Sequence, residues 1–183
     1  MRASDRLILY SLGAGNAPNS EVKIQKLLFL CALSLPKIIG SQFHFDTHKK
    51  GPYSEEINEM LHVFSDEGLI DSNYRMTEVG RELHHALSDR IKEPVKGVVE
   101  DYVEFISGLT ENELLTFVYT IDPSQQSDSE VWEGLKKSRV ETAASMLKKG
   151  KISFSRAADV SGLDLGEFEE YLMDNNVRWR DSD

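Results

Sequence analysis

A single cysteine, no long apolar run and no excess of positive charge stand out first in this chain, and each scarcity excludes a class of protein. With Cys31 alone, no internal disulfide can form and a zinc cluster of thiolates is ruled out. The longest apolar run, LLFLCALSL from Leu27 to Leu35, is far shorter than the roughly 20 residues that cross a bilayer. Cys31 lies inside it and reads as a small core residue. The N-terminus lacks the charged and apolar regions of a secretory signal, so the expected location is the cytoplasm. Net charge is −10, from 31 acidic and 21 basic residues, which weakens non-specific attraction to a polyphosphate.

Catalytic signatures are missing as well. There is no nucleophile elbow, phosphate loop or HExxH helix. His44 and His48 fall on an expected strand, on the same side but far from one another, while His84 and His85 are adjacent on an expected helix and diverge. Paired carboxylates are plentiful only on outward helix faces, where burial does not tune them. The expectation is a non-enzymatic protein with no cofactor and no metal.

What the chain does contain is helical periodicity. Its 183 residues, 40% hydrophobic, suffice for one globular unit or two small ones. Ser4 can cap a helix through Leu12, and GAGNAPNS breaks it. Ser20 opens a mostly buried helix carrying Val22, Ile24, Leu27, Leu28, Leu30, Cys31 and Leu35, with Pro36 at its end. QFHFDTH alternates as a half-exposed strand does, until Gly51 and Pro52 stop it. Ser54 then starts a helix with Ile57, Met60, Leu61 and Phe64 inward. LID and YRM flank a turn at Asp71 to Asn73, before Thr77 caps the next helix. This order predicts a winged-helix-like domain over 1–90, with a small two-stranded wing.

Residues 91–123 read as a helical connector in two pieces, the second opened by the Thr110 to Glu113 capping box. PSQQSDSE, from Pro123 to Glu130, is the most polar stretch and marks a boundary. Over 130–183 the pattern gives a helix ending at Gly150, a short helix capped by Ser153, a turn at Gly162, and a last helix capped by Asp164 with Glu167 completing a capping box. The fold class is thus mostly α with a minor β part, closing on a helix-turn-helix.

Two stretches resemble known families. KIQKLLFL followed by KKGPYSEEINEMLHVFSDEGLI resembles a prokaryotic winged-helix type that includes relatives of the Panacea antitoxin domain. GKISFSRAADVSGLDLGEFEEYL is similar to a family of short, antitoxin-like prokaryotic proteins sharing the pattern GKIS...AA...G....EF. The second resemblance implies a regulatory role, as in a toxin and antitoxin pair.

Charge decides how such helices would be used. On the last helix Leu165, Phe168 and Leu172 are expected to face inward, leaving Glu167, Glu169, Glu170, Met173 and Asp174 outside. The helix after Ser54 likewise presents Glu55, Glu56 and Glu59. Like charges about 6 Å apart repel by roughly 0.7 kcal/mol in water and more where water is excluded, so neither helix suits a groove between phosphate rows. A basic protein partner fits these faces better. Against this stand Lys136, Lys137, Arg139, Lys148, Lys149, Lys151 and Arg156, opposed within their own segment by Glu141 alone. From Ala157 on, Asp159, Asp164, Glu167, Glu169, Glu170, Asp174, Asp181 and Asp183 outweigh Arg178 and Arg180, so the C-terminal part is a charge dipole. Two readings follow: a regulator acting by protein-protein contact through its acidic helices, or a DNA-binding transcriptional regulator gripping phosphates through Lys49, Lys50, the wing and the Lys136 to Arg156 segment, with a homodimer supplying further contacts. A third is an adaptor assembling through Trp132, Met173 and the terminal VRW. No membrane partner is expected.

Overall fold

A computed structural model describes residues 1–179, and Arg180, Asp181 and Asp183 of the terminal charge pattern lie outside the described residues. Among these the chain is mostly helical, with ten α-helices and two short 3-10 turns. None of the helices is long and apolar enough to cross a membrane. The chain forms two compact units, one of Met1–Asp46 with Pro52–Gly108, the other of Thr47–Gly51 with Leu109–Asp183.

The first unit contains α1 (Ala3–Gly13), α2 (Glu21–Ser34), α3 (Glu55–Asp66), α4 (Glu78–Ser88) and α5 (Val95–Ile106). Helix α1 packs on each of the other four, and α2 lies along α5. The hydroxyl of Ser20 accepts from the Lys23 N–H and that of Thr77 from the Gly80 N–H, as their positions predict. Ser4 does not cap; α1 starts earlier, at an Arg2 N-cap whose partner is Asp5. Helix α2 is buried from Ile24 to Ala32, including two polar residues, Gln25 and Lys26. Both are used on the GPYS segment: the Gln25 amide takes the Ser54 N–H at 2.9 Å and donates to its carbonyl at 3.0 Å, and Lys26 Nζ donates to the Pro52 carbonyl at 2.9 Å. Burying such groups is tolerable only when they are hydrogen-bonded, so these two residues hold the entry of α3 in place.

The expected two-stranded wing is not formed, because no strand occurs among the described residues. Ile70 and Met76 make one isolated antiparallel bridge, and the QFHFDTH stretch makes another, Asp46 to Tyr53. The reason is lack of length. Gly68 closes α3 in a left-handed conformation and Thr77 already caps α4, so the arms of the turn end after a single bridge. Asp71 tightens the turn instead, its Oδ1 accepting from the N–H groups of Asn73 and Arg75 at 2.8 and 2.9 Å.

The second unit contains α6 (Glu111–Ile121), α7 (Trp132–Lys137), α8 (Arg139–Lys148), α9 (Phe154–Ser161) and α10 (Leu165–Asp174). Helix α6 packs on α7, α8 and α9, and α10 packs on α9. Residues 91–123, read from the sequence as one connector, are divided between the units, α5 in the first and α6 in the second. The polar stretch from Pro123 to Glu130 lies inside the second unit, where several of its side chains are hydrogen-bonded. Ser129 Oγ pairs with the Tyr119 hydroxyl at 2.7 Å and accepts from the Trp132 N–H at 3.0 Å, and Gln126 donates to the Tyr119 carbonyl. The helix expected to run up to Gly150 is broken at Ser138, whose φ of −114° and ψ of 17° separate α7 from α8.

Candidate functional site

Helix α10 is built as its sequence dictates. Asp164 accepts from the Glu167 N–H at 2.9 Å while Glu167 accepts from the Asp164 N–H at 3.1 Å, closing the capping box. Gly162 turns the chain from α9 to α10 at φ 78°, a conformation that costs glycine little. Phe168 and Leu172 are fully buried, and Tyr171 is half-buried beside them. Leu165 departs from expectation. At the first helical position it is 54% exposed, because the inner face is centred on Phe168, Tyr171 and Leu172 and Leu165 lies to one side of it.

The outward face of α10 therefore carries two apolar residues, Leu165 and Met173, the latter 62% exposed. Glu169 and Glu170 precede Met173 by four and three residues, so they flank it on the helix surface, and Asp174 follows. All three acids are exposed. Glu167 is exposed as well, but its carboxylate is occupied by the cap. On α3, Ile57, Leu61 and Phe64 are buried, Met60 is half-buried, and Glu55, Glu56 and Glu59 are exposed. Glu55 accepts from the Asn58 amide at 3.3 Å.

The basic residues are distributed less simply. Arg139 is not directed at solvent: its Nε donates to the Val160 carbonyl at 2.9 Å, its Nη2 to the Asp159 carbonyl at 3.1 Å, and its guanidinium lies 5.5 Å from the Trp132 ring centre. Burial lowers its pKa. Lys149 reaches both carboxylate oxygens of Glu113, at 2.8 and 2.7 Å. Glu113 is 5% exposed and also accepts from Ser145 Oγ at 2.7 Å and the Thr110 N–H at 2.8 Å. Burial raises the Glu113 pKa, but the bonds from Lys149, Thr110 and Ser145 outweigh it, and the net shift is downward. The expected phosphate grip thus loses Arg139 and Lys149 to internal contacts.

Three other cations have acidic neighbours on the surface: Lys49 with Glu130 at 2.8 Å, Lys50 with Glu111 at 4.0 Å, and Arg156 with Asp159 at 3.2 Å. Lys151 is half-buried, whereas Lys136, Lys137 and Lys148 are exposed. No signal within the segment itself distinguishes these fates, since the partner of Lys149 lies a whole helix bundle away in sequence. Cys31 is buried, and its thiol is pushed up to about 12 by burial. Among the described residues no three His, Cys, Asp or Glu side chains gather to hold a metal ion.

No protein-family model matches the chain, and neither the curated proteins nor the solved structures contain a match to it.

Proposed function

We propose that the chain is a non-enzymatic, antitoxin-like regulator that works by protein-protein contact, its C-terminal helix-turn-helix and its helical N-terminal part each presenting an acidic helix to a basic partner. One observation carries this reading: the outward face of α10 sets Glu169, Glu170 and Asp174 around the exposed apolar side chains of Met173 and Leu165. An apolar centre with a charged rim is the anatomy of a protein interface, and the rim's sign selects a cationic partner. Leu165 strengthens the case, because an exposed leucine at the start of the helix adds apolar area beside the carboxylates.

The test is affinity capture with the full chain, comparing wild type with the double variant Glu169→Lys, Glu170→Lys. The reading expects a basic protein to be retained by wild type and lost by the variant, with melting temperature unchanged because both positions are exposed. A different outcome supports DNA binding: sub-micromolar duplex affinity that falls steeply with salt and is lost on Lys136→Ala, Lys137→Ala. That result would reverse the assignment of the acidic faces.

A further inference from the structure

The first unit holds a cleft that the acidic helices leave unexplained. It consists of two adjoining hollows, of 310 and 260 Å³, that share Asn16, Ala17, Pro18 and Arg75. Arg81 lines the first and Lys23 the second. Every charged residue lining them is a cation, although acids outnumber bases in the chain by 31 to 21. Arg75, common to both hollows, is exposed and makes no ion pair or side-chain hydrogen bond among the described residues. The nearby Asp71 carboxylate feels the Arg75 charge but makes no ion pair with it among the described residues, and its Oδ1 accepts from the N–H groups of Asn73 and Arg75. Arg81 donates from Nη1 to the Met76 carbonyl at 2.8 Å.

The walls of the first hollow are apolar: Leu12, Pro18, Met76 and Tyr74. Tyr74 has φ 59°, a left-handed backbone that a bulky side chain adopts at a cost and that clusters at ligand sites. Its neighbours enforce the conformation, Tyr74 N–H donating to the Asp71 carbonyl at 2.9 Å at the close of the tight turn. The same residue lines a smaller hollow of 170 Å³ against α3. A rigid aromatic wall beside unpaired guanidinium donors is a mixed surface of the kind that small-molecule sites use.

We propose that this cleft binds a phosphorylated small molecule, its phosphate held by Arg75 together with Lys23 or Arg81 and its less polar part against Tyr74, Met76 and Leu12. Phosphate is favoured over a carboxylate because its three terminal oxygens can accept from more than one cation at once, and a guanidinium fork matches it bidentately. Concavity favours a small molecule over duplex DNA, whose phosphates approach a protein on a convex surface. No residue of α3 or α10 lines either hollow, so the proposal stands whether or not those helices bind a protein.

The experiment is an amide-shift titration of the isotope-labelled full chain with AMP, UMP and glucose 6-phosphate, with their unphosphorylated counterparts, inorganic phosphate and a short DNA duplex as separate arms. At least one phosphorylated probe should saturably shift Asn16, Tyr74, Arg75 and Arg81. It should bind at least about tenfold more tightly than its unphosphorylated counterpart, and Arg75→Ala should weaken it by a similar factor, the loss of a charge-assisted hydrogen bond. Arg81→Ala serves as a second variant, and unchanged shifts elsewhere show that both remain folded. The proposal is overturned if no probe binds up to about 10 mM, if affinity ignores the phosphate or Arg75, if inorganic phosphate binds as tightly as every organic probe, or if only the duplex produces these shifts.

Discussion

Replacing Glu113 by glutamine removes a charge from the interior of the second unit while keeping the size of the side chain. The carboxylate, 5% exposed, takes hydrogen bonds from Lys149 Nζ at 2.8 and 2.7 Å, from Ser145 Oγ at 2.7 Å and from the Thr110 N–H at 2.8 Å. A glutamine retains one acceptor oxygen, and its NH₂ must confront at least one of these donors. Hydrogen bonds to charged groups contribute about 1.5–3 kcal/mol each. Breaking a fully buried ion pair costs about 3–5 kcal/mol, but the Lys149 side chain is 35% exposed and its ammonium can turn to water. The expected loss for Glu113→Gln is therefore about 2 kcal/mol. Glu113→Ala should lose about 1 kcal/mol more, since it also removes the capping box of α6. Urea unfolding followed by tryptophan fluorescence reads this out, because Trp132 and Trp179 both belong to the second unit. The pH dependence gives a sharper check. The folded Glu113 carboxyl ionises more readily than the unfolded one, whose value is 4.5, so its contribution is complete above that pH and fades as pH falls through the lower folded value. The deficit of the glutamine variant should shrink over that same interval. A deficit below about 0.5 kcal/mol at neutral pH, or one that does not shrink in acid, would refute the role assigned to Glu113.

Two further substitutions test the packing that positions the surfaces. A Cβ at Gly13 would collide with Cδ2 of His84, whose ring stacks on Tyr10 at 5.4 Å, so Gly13→Ala should cost about 1–3 kcal/mol in thermal unfolding, and adding His84→Ala should recover part of it; an unchanged melting temperature for the single variant would contradict the close α1 to α4 contact. Arg139→Ala should cost about 1.5–3 kcal/mol by releasing the Val160 and Asp159 carbonyls, and Arg139→Lys should recover little, because a single ammonium does not reproduce the guanidinium fork; full rescue by lysine in the tryptophan-monitored unfolding curve would refute it.

The helices of this chain were legible largely through their starts. Ser20, Thr77, Thr110, Ser153 and Asp164 each accept the N–H that their sequence position predicts, because a cap is a local arrangement with both partners within one turn. Ser54 shows the limit of that logic. It stands at the cap position of α3, yet its backbone is held by Gln25 of α2, a partner 29 residues away. The strands failed for a related reason. Alternation in QFHFDTH and the paired LID and YRM segments describe side-chain faces, but a strand exists only if a neighbour runs beside it long enough, and here each neighbour departs after one bridge. The break at Ser138 was also invisible, since the residues around it remain good helix formers.

The basic segment carries the same lesson into function. Counted along the chain, Lys136 to Arg156 reads as a strongly positive tract fit for phosphates. In three dimensions a charge acts only through what it has left to offer after its internal partners are served. Arg139 serves the end of α9 and Lys149 serves a buried carboxylate on α6, and removing either from its partner would forfeit those charge-assisted hydrogen bonds. Neither can turn outward to a phosphate without that cost. Among the described residues the acidic face of α10 has no such internal claim beyond Glu167: Glu169, Glu170 and Asp174 are exposed around Met173. Positive charge in this unit is partly structural while the carboxylates of Glu169, Glu170 and Asp174 on α10 are exposed, which is what favours them as the contact surface in the proposed reading although the local count of cations is high.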